Sequence, residues 1–166
     1  MNAATDAGQV TLRAATLDDG AAMWRIARDS QVLDLNTSYA YLIMARDFGA
    51  HSAVAEVDGE VVGYCMSYLR PQAPDTVFVW QIAVDSSQRG RGLAGRLLDQ
   101  VVETTGASAL ESTVTADNDA SNALFAGFAA RRGATETITE FITGDHFPID
   151  DVHDAELLHR IEPLNA

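Results

Sequence analysis

The sequence predicts a mixed α/β fold, with a central sheet of about seven strands flanked by about four helices. Three observations lead there. At 166 residues the chain has the length of one ordinary domain, enough to bury a real core. Its apolar pattern switches repeatedly between the two-residue and helical periods, giving the order β-α-α-β-β-β-α-β-α-β-β. No long linker, internal repeat or low-complexity tract interrupts that order, so residues 1–166 are expected to form a single domain with residues 1–9 as a flexible tail.

Val10 to Arg13 reads as the first strand, and Thr16-Leu17-Asp18-Asp19 supplies cap-type residues before the helical pattern Ala21, Met23, Trp24, Ile26, Ala27. A second helix is predicted over about Ser38 to Phe48, preceded by the polar-apolar loop Leu33 to Ser38. Two strands, Ser52 to Val57 and Val61 to Leu69, flank Asp58-Gly59, a dipeptide suited to positive φ in a hairpin turn. After the breaker stretch Arg70 to Pro74, the run Val77 to Val84 is apolar at nearly every position, as expected of a central strand covered on both faces. From Gly92 the period becomes helical, with Leu93, Leu97, Leu98, Val101 and Val102 on one side and Gly106 where a helix would end. A strand over Ala109 to Val114, a helix over about Ser121 to Arg131, and strands near Thr135 to Thr143 and Glu156 to Ile161 complete the chain.

Charge narrows the function. Twenty-four acids face eleven bases, every base is Arg, and the formal net charge is −13. Polyphosphates and anionic membranes would be repelled on average, so neither nucleic acid nor membrane is an expected partner. Met1 to Val10 lacks the basic and apolar regions of a secretory leader, and no apolar run reaches membrane-spanning length; a cytoplasmic protein is expected. Cys65 sits alone in the apolar run Val61 to Leu69 and is expected in the core.

Against this acidic background, Arg89, Arg91 and Arg96 place three of the eleven bases within eight residues. They surround Arg89-Gly90-Arg91-Gly92-Leu93-Ala94, a Gly-rich turn between an apolar strand and a helix. Unpaired N–H groups at a helix start, together with the positive end of its dipole, form a natural anion site. A Gly turn edged by surface arginines is the plainer reading of the turn alone. The segment has neither the third Gly of a dinucleotide fingerprint nor the Gly-Lys-Ser/Thr of a nucleotide P-loop.

These residues resemble the GNAT-type N-acetyltransferase superfamily. Its Arg/Gln-x-x-Gly-x-Gly/Ala signature is matched by Arg89, Gly92 and Ala94, and its Asn-x-x-Ala/Ser-x-x-Leu-Tyr/Phe element by Asn118, Ser121, Leu124 and Phe125. The resemblance implies the GNAT fold, acetyl-CoA as cosubstrate, and no metal. It also implies that the Arg89 to Ala94 turn holds the CoA pyrophosphate, and that backbone groups at Ile82 and Val84, with the Asn118 side chain, hold the pantetheine arm. Asn118 is equally suited to capping a helix. Phe125 stands where the family frequently has a Tyr that protonates the leaving thiolate, so that proton must come from water or another group, or the thiolate must leave unassisted.

A narrower resemblance is to the L-2,4-diaminobutyrate acetyltransferase family of ectoine synthesis, carried by Leu33 to Leu42, Pro74 to Val84 and His153 to Ile161. His159 departs from the Tyr more usual there. The resemblance implies acetylation of the 4-amino nitrogen of a short diamino acid, by direct attack on the thioester, in a homodimer. It assigns Asp34 and Glu156 to the ammonium groups and to proton acceptance, with Tyr39 and His153 as hydrogen-bonding neighbours and Trp80 as an aromatic wall. Each has a plainer alternative: Trp80 and Tyr39 in the core, Asp34 as a cap, Glu156 as a solvated acid. Another amine substrate, or a noncatalytic acyl-CoA sensor, is the competing function. His146, His153 and His159 lack metal-ligand spacing.

Overall fold

The computed structural model describes residues 8–164, so most of the expected N-terminal tail lies outside the described residues. The elements are β1 (Val10–Ala14), α1 (Gly20–Ser30), α2 (Ser38–Asp47), β2 (Ala53–Val57), β3 (Glu60–Arg70), β4 (Ala73–Val84), α3 (Leu93–Thr105), β5 (Ala109–Thr115), α4 (Asp119–Arg132), β6 (Thr135–Ile142) and β7 (Glu156–Glu162). The strands form one sheet in the order β1-β2-β3-β4-β5-β7-β6, with β4 at its centre. Only β4 and β5 pair in parallel; the other neighbours are antiparallel. At the β2–β3 hairpin, Asp58 and Gly59 take φ of 52° and 82°, a left-handed conformation that Asp tolerates and that Gly, lacking a Cβ, adopts freely.

Helical periodicity decides which residues leave water. The α3 stripe Leu93, Leu97, Leu98, Val101 and Val102 is buried on one face of the sheet, with Phe125, Phe128 and Ala129 of α4 beside it. Burying one such side chain stabilises by about 1.5–3 kcal/mol, which makes this stripe the main anchor of α3. Gly106 ends α3 at φ 66°. Cys65 belongs to the same core, where burial pushes its thiol pKa up to about 12. The opposite face packs Met23, Ile26 and Ala27 of α1 and Tyr41 and Ala45 of α2 against Val54, Val61, Tyr64 and Met66. The two helices meet closely at Gly20, where a Cβ would stand 2.9 Å from the Leu42 Cα.

The central strand departs from expectation twice. The breaker stretch shrinks to a turn at Pro71-Gln72, and β4 resumes at Ala73, with a register shift near the strand start where Pro74 can offer no ladder N–H. Full cover on both faces is also overturned. Met66 pairs with Gln81 and Ser67 with Val79, leaving Trp80 as the extra residue of a β-bulge. The bulge reverses the alternation: Val77 and Val79 share the α3 face, but so do Ile82 and Val84, while Ala83 joins the α1–α2 core. Trp80 is left 37 % exposed.

Candidate active site

The parallel ladder of β4 and β5 ends at Val79↔Ser112. Beyond it both strands line one cavity of about 830 Å³, with Trp80, Gln81 and Ile82 on one side and Thr113, Val114 and Thr115 on the other. From Trp80 onward β4 therefore has an open edge. The Asp85 N–H donates to the Val62 carbonyl at 2.8 Å, which marks those residues as a hydrogen-bonded pair. The alternation of an antiparallel ladder then turns the backbone groups of Ile82 and Val84 away from β3, toward the side that β5 has vacated. Such an edge can receive the amides of an extended ligand.

The Gly-rich turn follows this edge. Gly90 and Gly92 have φ of 80° and 69°, and a Cβ at either would meet nothing within 4 Å; the left-handed backbone, rather than crowding, requires glycine. Gly92 precedes α3 without any side-chain cap, so the first N–H groups of that helix keep their capacity for an external acceptor. Outside this turn, all eight remaining arginines form ion pairs with Asp or Glu. Among the described residues Arg89, Arg91 and Arg96 form none. Arg91 is directed to the carbonyl of Gly8, at 2.9 Å, and to the Gln88 side chain. Arg89 and Arg96 are exposed, and with Leu93 buried and Ala94 half-buried they edge a cationic helix terminus suited to a diphosphate.

Asn118 joins two roles. Its Oδ1 accepts the Ser121 N–H at 3.1 Å and so starts α4, while the residue also lines the cavity. Phe125, about two turns further, lines the cavity too, although it is only 1 % exposed. Its ring lies 5.9 Å from that of His159, which is fully buried and 2.7 Å from Glu136 through Nδ1.

The cavity lining is also acidic. Asp34, Asp117, Asp119, Asp154 and Glu156 line it together with His153, and no Arg does. Asp34 comes from the loop between α1 and α2, Trp80 from the β4 bulge, and Glu156 from the first position of β7, so three distant segments converge. His153 connects two of these acids: its Nε2 lies 3.3 Å from Asp34 and 4.0 Å from Glu156. Its Nδ1–H donates to the Asp154 carbonyl at 2.7 Å, and Phe147 stacks on the ring at 4.2 Å. The Asp154 carbonyl first, then the Asp34 carboxylate, raise the His153 pKa above its ordinary value, because both favour the imidazolium.

Trp80 is thus a cavity wall rather than core. Tyr39 is not core either: it is 69 % exposed at the start of α2 and absent from the cavity lining. Val84 and the Arg89 to Ala94 turn also stand outside the lining, along the β4 edge and α3 terminus that lead from it. Asp117, Asp119 and Asp154 were hidden in the sequence by the general excess of acids. Gln81 could have been noticed as the one amide within an apolar run, but its hydrogen-bond partners Asp34, Tyr41 and Tyr64 lie 17 to 47 residues away in sequence.

The sequence pattern of the acetyltransferase (GNAT) family matches residues 20–128. An L-2,4-diaminobutyric acid acetyltransferase of Nocardia farcinica is 52 % identical over 95 % of this chain and 82 % of its own length. The enzyme of that name from Streptomyces coelicolor is 51 % identical over 89 % of each. The chain belongs to the GNAT family, among the L-2,4-diaminobutyric acid acetyltransferases. In structure it is similar to the diaminobutyrate acetyltransferase of Paenibacillus lautus, solved with L-2,4-diaminobutyric acid and coenzyme A, with a TM-score of 0.88 and 33 % identity over 96 % of this chain and 98 % of that one. The open β4 edge and the uncapped α3 terminus are consistent with acetyl-CoA use by a GNAT protein. Among the described residues no helix is long and apolar enough to cross a membrane, and no group of His, Cys, Asp and Glu is arranged to hold a metal ion.

Proposed function

We propose that this protein transfers the acetyl group of acetyl-CoA to the 4-amino nitrogen of L-2,4-diaminobutyrate, giving N4-acetyl-L-2,4-diaminobutyrate for ectoine synthesis. The observation that carries the reading is the convergence of Asp34, Trp80, His153 and Glu156 on one acidic cavity beside an open strand edge. A diammonium substrate is attracted there, and its aliphatic chain has an indole to lie against.

Acetyl-CoA supplies the activated acyl group. Arg89 and Arg96, with the N–H groups at the start of α3, bind its pyrophosphate; Ile82 and Val84 pair with the pantetheine arm, and Asn118 touches the same arm. Arg91, already committed to Gly8, shapes the turn. An alkylammonium has an ordinary pKa near ~10 and must lose a proton before it can attack. Glu156 is the acceptor, directly or through water: its side chain is 18 % exposed and belongs to a strand, whereas that of Asp34 is 88 % exposed and belongs to a loop. Asp34 then serves as an electrostatic anchor. A β4 backbone N–H at the open edge stabilises the developing oxyanion. Phe125 offers no hydroxyl, so the thiolate takes its proton from water or another group, or leaves unassisted.

The enzyme works in the cytoplasm as a single-domain homodimer. The exposed edge strand β6, with Ile138 50 % and Phe141 52 % exposed, suits an interface between copies, and sedimentation would read it. Thiol release from acetyl-CoA with 2,4-diaminobutyrate, followed by location of the acetyl group on the product, tests the activity. A preference for a polyamine, an aminoglycoside or a protein N-terminus would overturn the substrate; binding of acetyl-CoA without thiol release across the amine panel would favour a sensor.

A further inference from the structure

Gln81 is the one amide in the run Val77 to Val84, and it is only 8 % exposed. Its Oε1 accepts from the hydroxyls of Tyr41 and Tyr64, each at 2.8 Å, and both tyrosines are fully buried. Its Nε2 donates to the backbone carbonyl of Asp34 at 2.9 Å. This arrangement allows no flip. A carbonyl can only accept, so the nitrogen must face Asp34 and the oxygen must face the phenols, which then donate. Burial raises the Tyr64 pKa far above its ordinary value, so that phenol keeps its proton.

The loop from Gln31 to Thr37 has no regular structure. Ser30 Oγ receives the amides of Val32 and Leu33, both at 3.4 Å, and the Asn36 side chain reaches the Asp34 carbonyl at 3.5 Å. All of these are local. Among the described residues Gln81 makes the one hydrogen bond from the sheet to this loop, and it does so from the position next to Trp80 on the bulge.

We infer that Gln81 is a positioning residue for the acceptor amine, holding the loop of Asp34 against the β4 bulge so that the carboxylate and the Trp80 indole act as one rigid unit. The inference rests on the proposed diamine substrate and adds the device that sets the geometry of its site. It also explains a polar side chain under a central strand: an apolar residue would strand two buried hydroxyls and release the loop.

Gln81→Glu, assayed at alkaline pH where its carboxyl is ionised, separates the links, because a carboxylate still accepts from both phenols but sets an oxygen against the Asp34 carbonyl. Tyr64→Phe is the control, since it removes a buried hydrogen bond and leaves the link to Asp34. Gln81→Glu is expected to raise KM for diaminobutyrate about tenfold while KM for acetyl-CoA stays within about twofold. Tyr64→Phe should lower Tm and leave both KM values within about twofold. Equal changes in the diamine KM in both variants, or none in folded Gln81→Glu, would overturn the inference. Wild-type ¹⁵N order parameters test it without any variant: amides 33–35 should stand near about 0.8, and values below about 0.6 would overturn it. Absence of wild-type turnover with diaminobutyrate would instead remove the substrate reading, with the order parameters still judging the tether.

Discussion

Glu156 and Asp34 are both carboxylates, but they face different surroundings. Glu156 is sheltered at the first position of β7, within 4.0 Å of His153, whereas Asp34 stands in an open loop. A sheltered base keeps a defined distance to its target, directly or through one ordered water, and general-base catalysis depends on that reach. Glu156→Gln preserves shape and removes proton acceptance, so kcat should fall by about 10²-fold or more and the acid limb of the pH-rate profile should flatten. A pH-rate profile unchanged from wild type would remove the role. Both acids are legible as residues in the sequence, yet their difference in exposure is not, since it arises from where the chain folds over them.

At the scale of elements, the α3 terminus is the clearest match between sequence and structure. The Gly positions, the helical stripe and the cluster of arginines were all readable because they depend on neighbours within one turn. The tertiary structure adds what spacing could not: among the described residues, carboxylates engage every arginine except the three at this turn. Arg89→Gln with Arg96→Gln should raise KM for acetyl-CoA about tenfold and leave KM for the diamine within about twofold, measured by thiol release. The wild-type acetyl-CoA KM should also rise with salt, and the double variant should lose much of that dependence. The bulge at Trp80 was not legible. Its run of apolar residues fits a strand covered on both faces, and the extra residue becomes visible only when the strand is paired with β3.

The whole molecule carries thirteen more negative than positive charges at neutral pH. With eight arginines already paired, the surplus carboxylates repel one another across the folded surface more closely than along an unfolded chain. Salt up to about 0.5 M should therefore stabilise the protein by about 1 kcal/mol, a rise in Tm of about 2–4 °C. Calorimetry at constant pH checks this, and a fall in Tm would mean that screening the ion pairs outweighs screening the repulsion.

By itself the sequence determined the order of elements, the helix stripes, the Gly-rich turn and the family, because each rests on periodicity, local conformation or residue pattern. Only the tertiary structure decided that β4 bulges at Trp80, that β5 leaves its edge beyond Val79, and that Gln81 joins Tyr41, Tyr64 and Asp34. It also decided that Tyr39 stands outside the cavity that Asp34, Trp80, His153 and Glu156 share. The physical reason is range. Local preferences act over a few residues, whereas a hydrogen bond from residue 81 to residue 34 exists only after the sheet and its helices have packed.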